Sequence, residues 1–400
     1  MKNIIYKHIR LLSMLSIILI ITSMTSCNND DDNASGTGPV ITEIRNYAAS
    51  PNDTLVDKIV PGQWIVITGK NLKSATKITF NGIPADFNAG LFSNTYAAVQ
   101  VPAVIPFPSI PANKLNTIQY TTSVGTTTFA FSIVAGPPAL VSISNENPVE
   151  GDLVTLSGSN LFLINEISFG GKIITDYTAA VDGKSISFVM PNVTTSAPLN
   201  IITASGTVTT TFNVNDVTTK SLCNFDNVNT FSWGCATSNS NADFPGNHGY
   251  FAVLDHGTLG PNNGTWWEWG RSINVNSGQW VPAQDLADPV ADYAVKFEIN
   301  VPGEWNGTTI QITRNYDFYA KYEPWKANDK IVSYTTKGKW VTVTIPLSDF
   351  KKDGAQASSL TELLGASGSG EFHIQAVSGS KATVTGLRAA VDNIRVVKIN

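Results

Sequence analysis

Short segments in which apolar and polar residues alternate recur along most of the chain, and they are bounded by Gly, Asn or Pro. Clear examples are residues 293–299, 308–312, 340–347 and 390–397. A period of two residues is typical of a β-strand with one buried face, and the bounding residues are typical of turns. The pattern therefore predicts an all-β protein.

An internal repeat organises the first half of the chain. Gly62 and Gly69 recur as Gly151 and Gly158, an offset of 151 − 62 = 89 residues. Neither unit offers a helical period of useful length, and each is expected to close with a Thr-rich strand, at residues 129–133 and 211–214. Two units of roughly 80–100 residues built from short strands predict tandem β-sandwiches. A Pro-rich insertion at residues 104–111 occurs only in the first unit.

The repeated motif is Gly-x6-Gly-x-Asn-Leu followed by Ile-x-Phe-x-Gly, at residues 62–82 and again at 151–171. It resembles the IPT/TIG immunoglobulin-like family. The resemblance implies two such domains, 39–135 and 137–215, which we interpret as spacers. Gly136-Pro137-Pro138 joins them, and a Pro pair favours a semi-rigid, extended linker.

The composition changes after Asp216, and residues 217–400 are predicted to form a larger β-sandwich or jelly roll. Eight of the nine tryptophans lie beyond residue 230: Trp233, Trp266, Trp267, Trp269, Trp280, Trp305, Trp325 and Trp340. We expect Trp340 to be buried because it begins an alternating strand. Eight indoles exceed what the core of one sandwich ordinarily holds, so some should face solvent or a ligand.

Two aromatic-rich segments are the candidates for exposure. If residues 266–269 form a strand, Trp267 and Trp269 share one face and Trp266 takes the other. The preceding residues, 261–265, have the composition of a turn, which places the cluster near a loop rim. The second segment, residues 316–325, is interpreted as a loop.

An exposed aromatic ring offers a flat, rigid surface to the apolar C–H face of a sugar, with little side-chain entropy lost on binding. Candidate glycan-binding residues are therefore Trp233, Trp266, Trp267, Trp269, Trp325 and Tyr319. The formal net charge of −5 and the absence of a basic stripe in the sequence argue against a nucleic-acid partner. No cofactor is predicted.

The N-terminus has the pattern of a secretory signal. Lys2, Lys7 and Arg10 precede an apolar run at residues 11–21, which is too short to span a bilayer. Small residues before Cys27 resemble a bacterial lipoprotein signal, which implies cleavage after residues 1–26 and lipidation of Cys27.

Residues 27–38 are predicted to be a flexible acidic linker. Their acidic stretch resembles the surface-export signal of Bacteroidetes lipoproteins and implies an outer-membrane protein that is anchored by lipid and faces the cell exterior. Cys223 and Cys235, the two remaining cysteines, are expected to form a disulfide that stiffens the segment around Trp233.

As a whole the chain resembles the surface glycan-binding proteins of Bacteroidetes polysaccharide-utilisation loci, which combine a lipid anchor, immunoglobulin-like spacers and a C-terminal xyloglucan-binding-type domain. In that family one aromatic near the domain start and a later adjacent pair form the binding surface, a placement that Trp233, Trp266 and Trp267 fit. The resemblance implies capture of a plant β-glycan such as xyloglucan or another hemicellulose. It also implies a TonB-dependent transporter and a SusD-like lipoprotein as partners.

Two other functions are compatible with the sequence. The chain is alternatively a surface adhesin or structural stalk that binds a protein. The less favoured alternative is a glycoside hydrolase, which needs two carboxylates at a defined separation. Asp255, Glu268, Glu304 and Glu323 lie near the aromatics in sequence, but their spacing does not single out a pair. His248 and His256 are interpreted as loop or core residues rather than as a metal pair with Asp255.

Overall fold

The computed structural model describes residues 37–193, 195–246 and 249–399. Within these ranges the chain is almost entirely β-structure, with a single short α-helix, α1 (Leu360–Leu364), capped by the Ser359 hydroxyl. The all-β fold class is therefore confirmed. Cys27 and the predicted signal peptide lie outside the described residues.

The chain divides into two compact units. Among the described residues, the first unit contains those up to Ile105 and Ile110–Val134. The second contains Pro106–Ser109 and the residues from Ala135 onward, so it includes both the second sandwich and the C-terminal domain. The domain limits drawn from the sequence remain predictions.

The first unit is a sandwich of short antiparallel strands with one parallel pair. Sheet orders are β1-β3-β6 and β5-β4-β7-β8, and β2 pairs with β9. The strands are β1 (Val40–Asn46), β2 (Lys58–Ile59), β3 (Trp64–Lys70), β4 (Ala75–Phe80), β5 (Ile83–Pro84), β6 (Tyr96–Gln100), β7 (Thr117–Thr122), β8 (Thr126–Ala130) and β9 (Ser132–Ile133).

The second sandwich repeats this plan with sheets β10-β11-β15-β14 and β13-β12-β16-β17. Its expected closing strand at residues 211–214 is wrong, because the last strand is β17 and Val214 makes only an isolated bridge to Ala197. The strands are β10 (Ala139–Ile143), β11 (Leu153–Ser159), β12 (Ile164–Phe169), β13 (Lys172–Ile173), β14 (Tyr177–Ala179), β15 (Ser185–Val189), β16 (Leu199–Thr203) and β17 (Gly206–Thr209).

Backbone geometry explains the second glycine of the repeated motif. A Cβ on Gly69 would lie 1.8 Å from the Val40 carbonyl oxygen, and one on Gly158 would lie 2.0 Å from that of Ala139. Neither distance tolerates a side chain. The glycines therefore allow the first strand of each sandwich to approach its antiparallel partner closely at a β-bulge.

The asparagine of the motif follows the same logic. Asn71 and Asn160 both have positive φ, 58° and 55°, a conformation that asparagine tolerates better than most residues. Their side-chain amides donate to backbone carbonyls, of Gly38 at 3.3 Å and of Pro137 at 3.0 Å. The motif is thus a set of backbone requirements rather than a binding signature.

The C-terminal domain packs a six-stranded sheet, β20-β21-β32-β23-β28 with β18 also on β32, near a seven-stranded sheet, β19-β22-β31-β24-β25-β29-β30. Their facing side chains form one hydrophobic core. The strands are β18 (Ser221–Cys223), β19 (Phe231–Trp233), β20 (Ala236–Ser238), β21 (Phe251–His256), β22 (Ser272–Gln279), β23 (Tyr293–Asn300), β24 (Thr309–Arg314), β25 (Phe318–Tyr322), β26 (Lys326–Ala327), β27 (Lys330–Ile331), β28 (Trp340–Pro346), β29 (Lys351–Lys352), β30 (Ala355–Gln356), β31 (Ser369–Val377) and β32 (Leu387–Lys398).

The predicted disulfide is wrong, because Cys223 and Cys235 are free, buried thiols. Cys223 lies opposite Ile394 of β32. Cys235 comes directly before β20, whose first residue aligns through β21 with Ala390 of β32. Four residues along a strand are about 13 Å, well beyond the roughly 7 Å Cα separation that a disulfide permits. Burial raises the pKa of both thiols, that of Cys235 to about 12, which makes them unreactive.

A buried ion-pair network, which we call the joint, connects the second sandwich to the C-terminal domain. Arg395 on β32 donates to Glu146 of the sandwich at 2.7 Å and to both oxygens of Glu298 on β23 at 2.9 Å. Lys296 also pairs with Glu146. Charges this deeply buried are retained only when each has a partner.

Candidate glycan-binding site

The seven-stranded sheet has one apolar and one polar face. Alternate residues such as Ile312 and Ile374 point into the core. The residues between them point outward and align across strands, because Asn274, His373, Thr313 and Tyr319 lie opposite one another on β22, β31, β24 and β25. We call this alignment the first row. A polar outer face is ordinary for such a sheet, but here aromatic side chains cover part of it.

Four aromatic side chains gather over the first row, and we call them the platform: Trp233, Trp266, Trp267 and Tyr316. Ring centroids lie 6.1 Å apart between Trp233 and Trp266, 5.8 Å between Trp266 and Trp267, and 5.2 Å between Trp266 and Tyr316. Trp267 is 58% exposed and Trp233 41% exposed. Open rings in mutual contact form a continuous apolar surface on an otherwise polar sheet.

The segment that supplies Trp266 and Trp267 is a turn, so the prediction that a strand would place them on opposite faces is wrong. Arg271 fixes this turn from below: its guanidinium is almost fully buried and donates to the Thr265 hydroxyl at 2.6 Å, to Glu268 at 3.1 Å and to the Ala376 carbonyl at 2.9 Å. Because Arg271 bonds to residues of the turn and to β31, the turn presents Trp266 and Trp267 in a defined position.

Asn274 connects the platform to the sheet beneath it. Its Oδ1 accepts from the Tyr316 hydroxyl at 3.1 Å and from His373 Nδ1 at 3.0 Å, and its Nδ2 donates to the Trp233 carbonyl at 3.1 Å. The His373 ring also stacks on Tyr316 with centroids 3.7 Å apart. Burial lowers the pKa of His373 to about 4, so the ring is neutral at neutral pH.

The candidate residues divide into three groups. Trp233, Trp266 and Trp267 are brought together, as the sequence suggested. Trp269 is 71% exposed but makes no ring contact with the platform, and Tyr319 is half-buried farther along the first row. Trp325 is buried at 8% exposure, with its indole N–H donated to the Thr308 carbonyl at 2.8 Å.

Half of segment 316–325 forms strand β25, so the prediction that the whole segment is a loop is wrong. Tyr316, which the sequence analysis did not place in the site, lies in the hairpin turn before it with φ of 59°. The neighbouring Asn315 also has positive φ, 51°. The sequence Asn-Tyr-Asp between two alternating segments was the available signal for a tight hairpin that places the Tyr316 ring over the sheet.

A groove of ≈ 620 Å³ lies beside the platform on the same face. Trp266 and Trp325 are part of its wall, and Gln311, Gln375 and Lys321 are among its polar lining residues. An aromatic surface next to a polar groove suits a ligand that has both apolar faces and many hydroxyls.

The carboxylates considered for catalysis all have other partners. Glu268 pairs with Arg271, Asp255 lies 3.5 Å from Arg388, Glu304 accepts from Ser333, and Glu323 accepts from Thr309. Among the described residues no group of His, Cys, Asp and Glu is arranged to hold a metal ion, and His248 lies outside them. No helix of the described chain is both long and apolar enough to cross a bilayer.

Residues 214–398 match the family model described as the surface glycan-binding protein B xyloglucan binding domain. The C-terminal domain is therefore similar to the domains of this family. Over 504 aligned residues the whole chain is 21% identical to an IPT/TIG domain-containing protein of Bacteroides ovatus, covering 98% of this chain and 99% of the relative.

Two solved structures extend the likeness to three dimensions. Surface glycan-binding protein PbSGBP-B from Prevotella bryantii is 22% identical with a TM-score of 0.67, covering 90% of this chain and 98% of its own. SGBP-B from a complex xyloglucan utilization locus in Bacteroides uniformis is 20% identical with a TM-score of 0.53, covering 91% and 100%. The sequence-based resemblance to surface glycan-binding proteins is thus confirmed.

Proposed function

We propose that the protein captures a polysaccharide at the cell surface through the platform of its C-terminal domain. The observation that carries this proposal is the contact between Trp233, Trp266, Trp267 and Tyr316 on the outer face of the seven-stranded sheet. Membership of the domain in a glycan-binding family supports the same function.

The energetics of such a surface suit reversible capture. Each ring that stacks on a sugar contributes about 1 kcal/mol, judged from aromatic pairs. Two or three such contacts with several hydrogen bonds correspond to a Kd between about 1 mM and 1 µM. Many copies on one cell would then hold a polymer more tightly than any single site does.

The proposed ligand is a plant β-glycan of the xyloglucan or hemicellulose class. The family model names xyloglucan, and the Bacteroides uniformis relative comes from a xyloglucan utilization locus. We further propose a binding role without catalysis, since the carboxylates near the platform are engaged in other contacts.

The cellular setting is part of the proposal and rests on the sequence signals at Cys27. The chain would be anchored by lipid in the outer membrane, face the exterior, and act with a TonB-dependent transporter and a SusD-like lipoprotein. Palmitate labelling and protease accessibility of intact cells test the anchor. Cys27→Ala should lose both the label and the surface exposure, and a labelled variant would contradict lipidation at Cys27.

Affinity electrophoresis in gels that contain xyloglucan, mixed-linkage glucan or xylan tests the platform. We expect retardation by at least one β-glycan, loss of it in Trp233→Ala, Trp266→Ala and Trp267→Ala, and no release of reducing sugar. Tyr250→Ala is the matched control, an exposed aromatic beside the other sheet. Unchanged migration of all three tryptophan variants would refute the site.

A further inference from the structure

A second row of outward side chains lies beside the first, two residues farther along each strand. Gln375 on β31, Gln311 on β24 and Lys321 on β25 face one another across three adjacent strands. All three line the groove. We call them the second row.

The side chains of the second row have unused hydrogen-bonding groups. Among the described residues, none of the three has a hydrogen-bond or ion-pair partner for its side chain, although Gln375 is only 4% exposed. The Gln375 amide still reaches solvent through the groove, so a ligand that enters the groove can offer it a hydrogen-bonding partner in place of water. A ligand hydroxyl in the groove would supply that partner.

The position of the second row relative to the platform determines which part of a glycan can reach it. The platform follows the first row across the strands, from Trp233 on β19 to Tyr316 above His373. The second row runs parallel to it at about 7 Å, the length of two strand residues. The groove therefore flanks a chain that lies along the platform instead of extending its path, and Trp266 belongs to both surfaces.

The charge of the groove selects among possible substituents. Lys321 and Lys326 line it together with Glu323 and Asp329, so the formal charges cancel. Lys326 pairs with Asp329, and Glu323 accepts from Thr309. A balanced groove with two free amides favours a neutral, hydroxyl-rich group over a uronic acid.

Resting on the function proposed above, we propose that Gln375, Gln311 and Lys321 form a specificity subsite for neutral sugar branches of a glycan whose backbone lies on the platform. The amides would donate to and accept from adjacent hydroxyls, and the ammonium would donate. Branched glycans would then bind more tightly than the unbranched backbone.

Isothermal titration with two probes that share a β-1,4-glucan backbone tests this subsite: unbranched cellohexaose and xylose-substituted xyloglucan heptasaccharide. The variants are Gln311→Ala, Gln375→Leu and Lys321→Met. Each should weaken binding of the branched probe about tenfold, equivalent to about 1.4 kcal/mol, while the Kd for cellohexaose changes less than about threefold. Lys351→Met, on the neighbouring strand β29 and outside the groove lining, is the matched control.

The possible failures are distinguishable. If the variants weaken both probes equally, or neither, the second row does not read branches and the proposal is overturned. If Trp267→Ala also binds as wild type does, the platform itself is wrong. A glucuronate-substituted oligosaccharide that binds more tightly than the xylose-substituted probe, with the gain lost in Lys321→Met, would overturn the assignment to neutral branches.

Discussion

Two sets of indoles in the C-terminal domain are held in different ways. Trp280, Trp305 and Trp325 are buried, and each donates its N–H to a backbone carbonyl. The platform indoles Trp233 and Trp267 are positioned by ring contacts and backbone pairing, and within the described chain their N–H groups have no acceptor. Those N–H groups therefore remain available to sugar hydroxyls, in addition to the ring faces.

Tyr316 supports the platform from beneath, which makes its replacement informative. Tyr316→Ala removes the ring on which Trp266 stacks and should weaken glycan binding about fivefold, or about 1 kcal/mol. Tyr316→Phe keeps the ring and loses only the hydrogen bond to Asn274, so its Kd should stay within about twofold. Titration with xyloglucan heptasaccharide measures both. Equal behaviour of the two variants would mean that the stack contributes nothing.

Asp392 gives the domain a pH dependence with a defined sign. Burial raises its pKa from 3.8 to about 8, so the folded state keeps a proton that the unfolded state releases. Stability from this group is full below about pH 4 and is lost as the pH rises towards 8. His373 acts in the opposite sense, since its pKa is lowered to about 4 and it costs stability as the pH falls from 6.5.

Comparing Asp392→Asn with wild type isolates one of these two effects. The amide cannot ionise, so the variant should gain stability relative to wild type as the pH rises from 5 to 8.5. Urea unfolding followed by tryptophan fluorescence provides the free energies at each pH. A difference between the two proteins that stays constant over this range would show that Asp392 does not titrate abnormally.

At the scale of strands and turns, the sequence predicted what periodicity and backbone chemistry determine. The strands at residues 293–299 and 340–347 lie in β23 and β28, and the 89-residue offset maps β3 onto β11. The prediction of a strand at residues 266–269 was wrong, because the aromatic composition of this segment is typical of strands although the residues form a turn. The buried anchor that makes them a turn, Arg271, bonds to Ala376, which is 105 residues away.

The remaining errors have the same origin in distant contacts. The spacing of 12 residues between Cys223 and Cys235 suggested a disulfide. Pairing with β32, which lies near the end of the sequence, instead places the two cysteines several residues apart along the sheet. Trp325 looked exposed, but its indole N–H donates to the carbonyl of Thr308, just before β24, and the ring is buried. The local sequence pattern predicts which residues share a face of a strand. Which of these residues come into contact depends on the register between strands that are far apart in the sequence.

The close approach of paired strands at Gly69 and Gly158 predicts that adding one methyl group at either position strongly destabilises the sandwich. Gly69→Ala or Gly158→Ala must separate β1 from β3, or β10 from β11, because the added carbon would lie within 2.0 Å of a carbonyl oxygen. We expect a loss of about 2 kcal/mol or more from the sandwich that carries the change. Calorimetry measures it, with Gly303→Ala as the control because nothing crowds that position. Unchanged unfolding of both alanine variants would contradict the close approach of these strands.

In the second compact unit, the joint links the second sandwich to the C-terminal domain through buried ion pairs, so we expect the two to be coupled in stability. A force on a glycan bound to the platform would then be transmitted to the second sandwich through Arg395 and its carboxylate partners. Glu146 contributes from the sandwich side, and its backbone N–H also donates to the Thr342 hydroxyl at 2.7 Å. Removing the Glu146 carboxylate leaves Arg395 and Lys296 short of countercharge in a buried setting.

This coupling can be measured because eight of the nine tryptophans lie beyond residue 230, so tryptophan fluorescence reports on the C-terminal domain. Glu146→Ala is a change in the other domain, yet it should cost about 3 kcal/mol and lower the fluorescence-detected Tm by about 6–12 °C. Glu150→Ala, an exposed carboxylate of the same sandwich, should leave that Tm unchanged. If both variants unfold like wild type, the sandwich behaves as an independent spacer. A lowered Tm for Glu146→Ala alone means that the glycan-binding domain is stabilised by the sandwich that carries it.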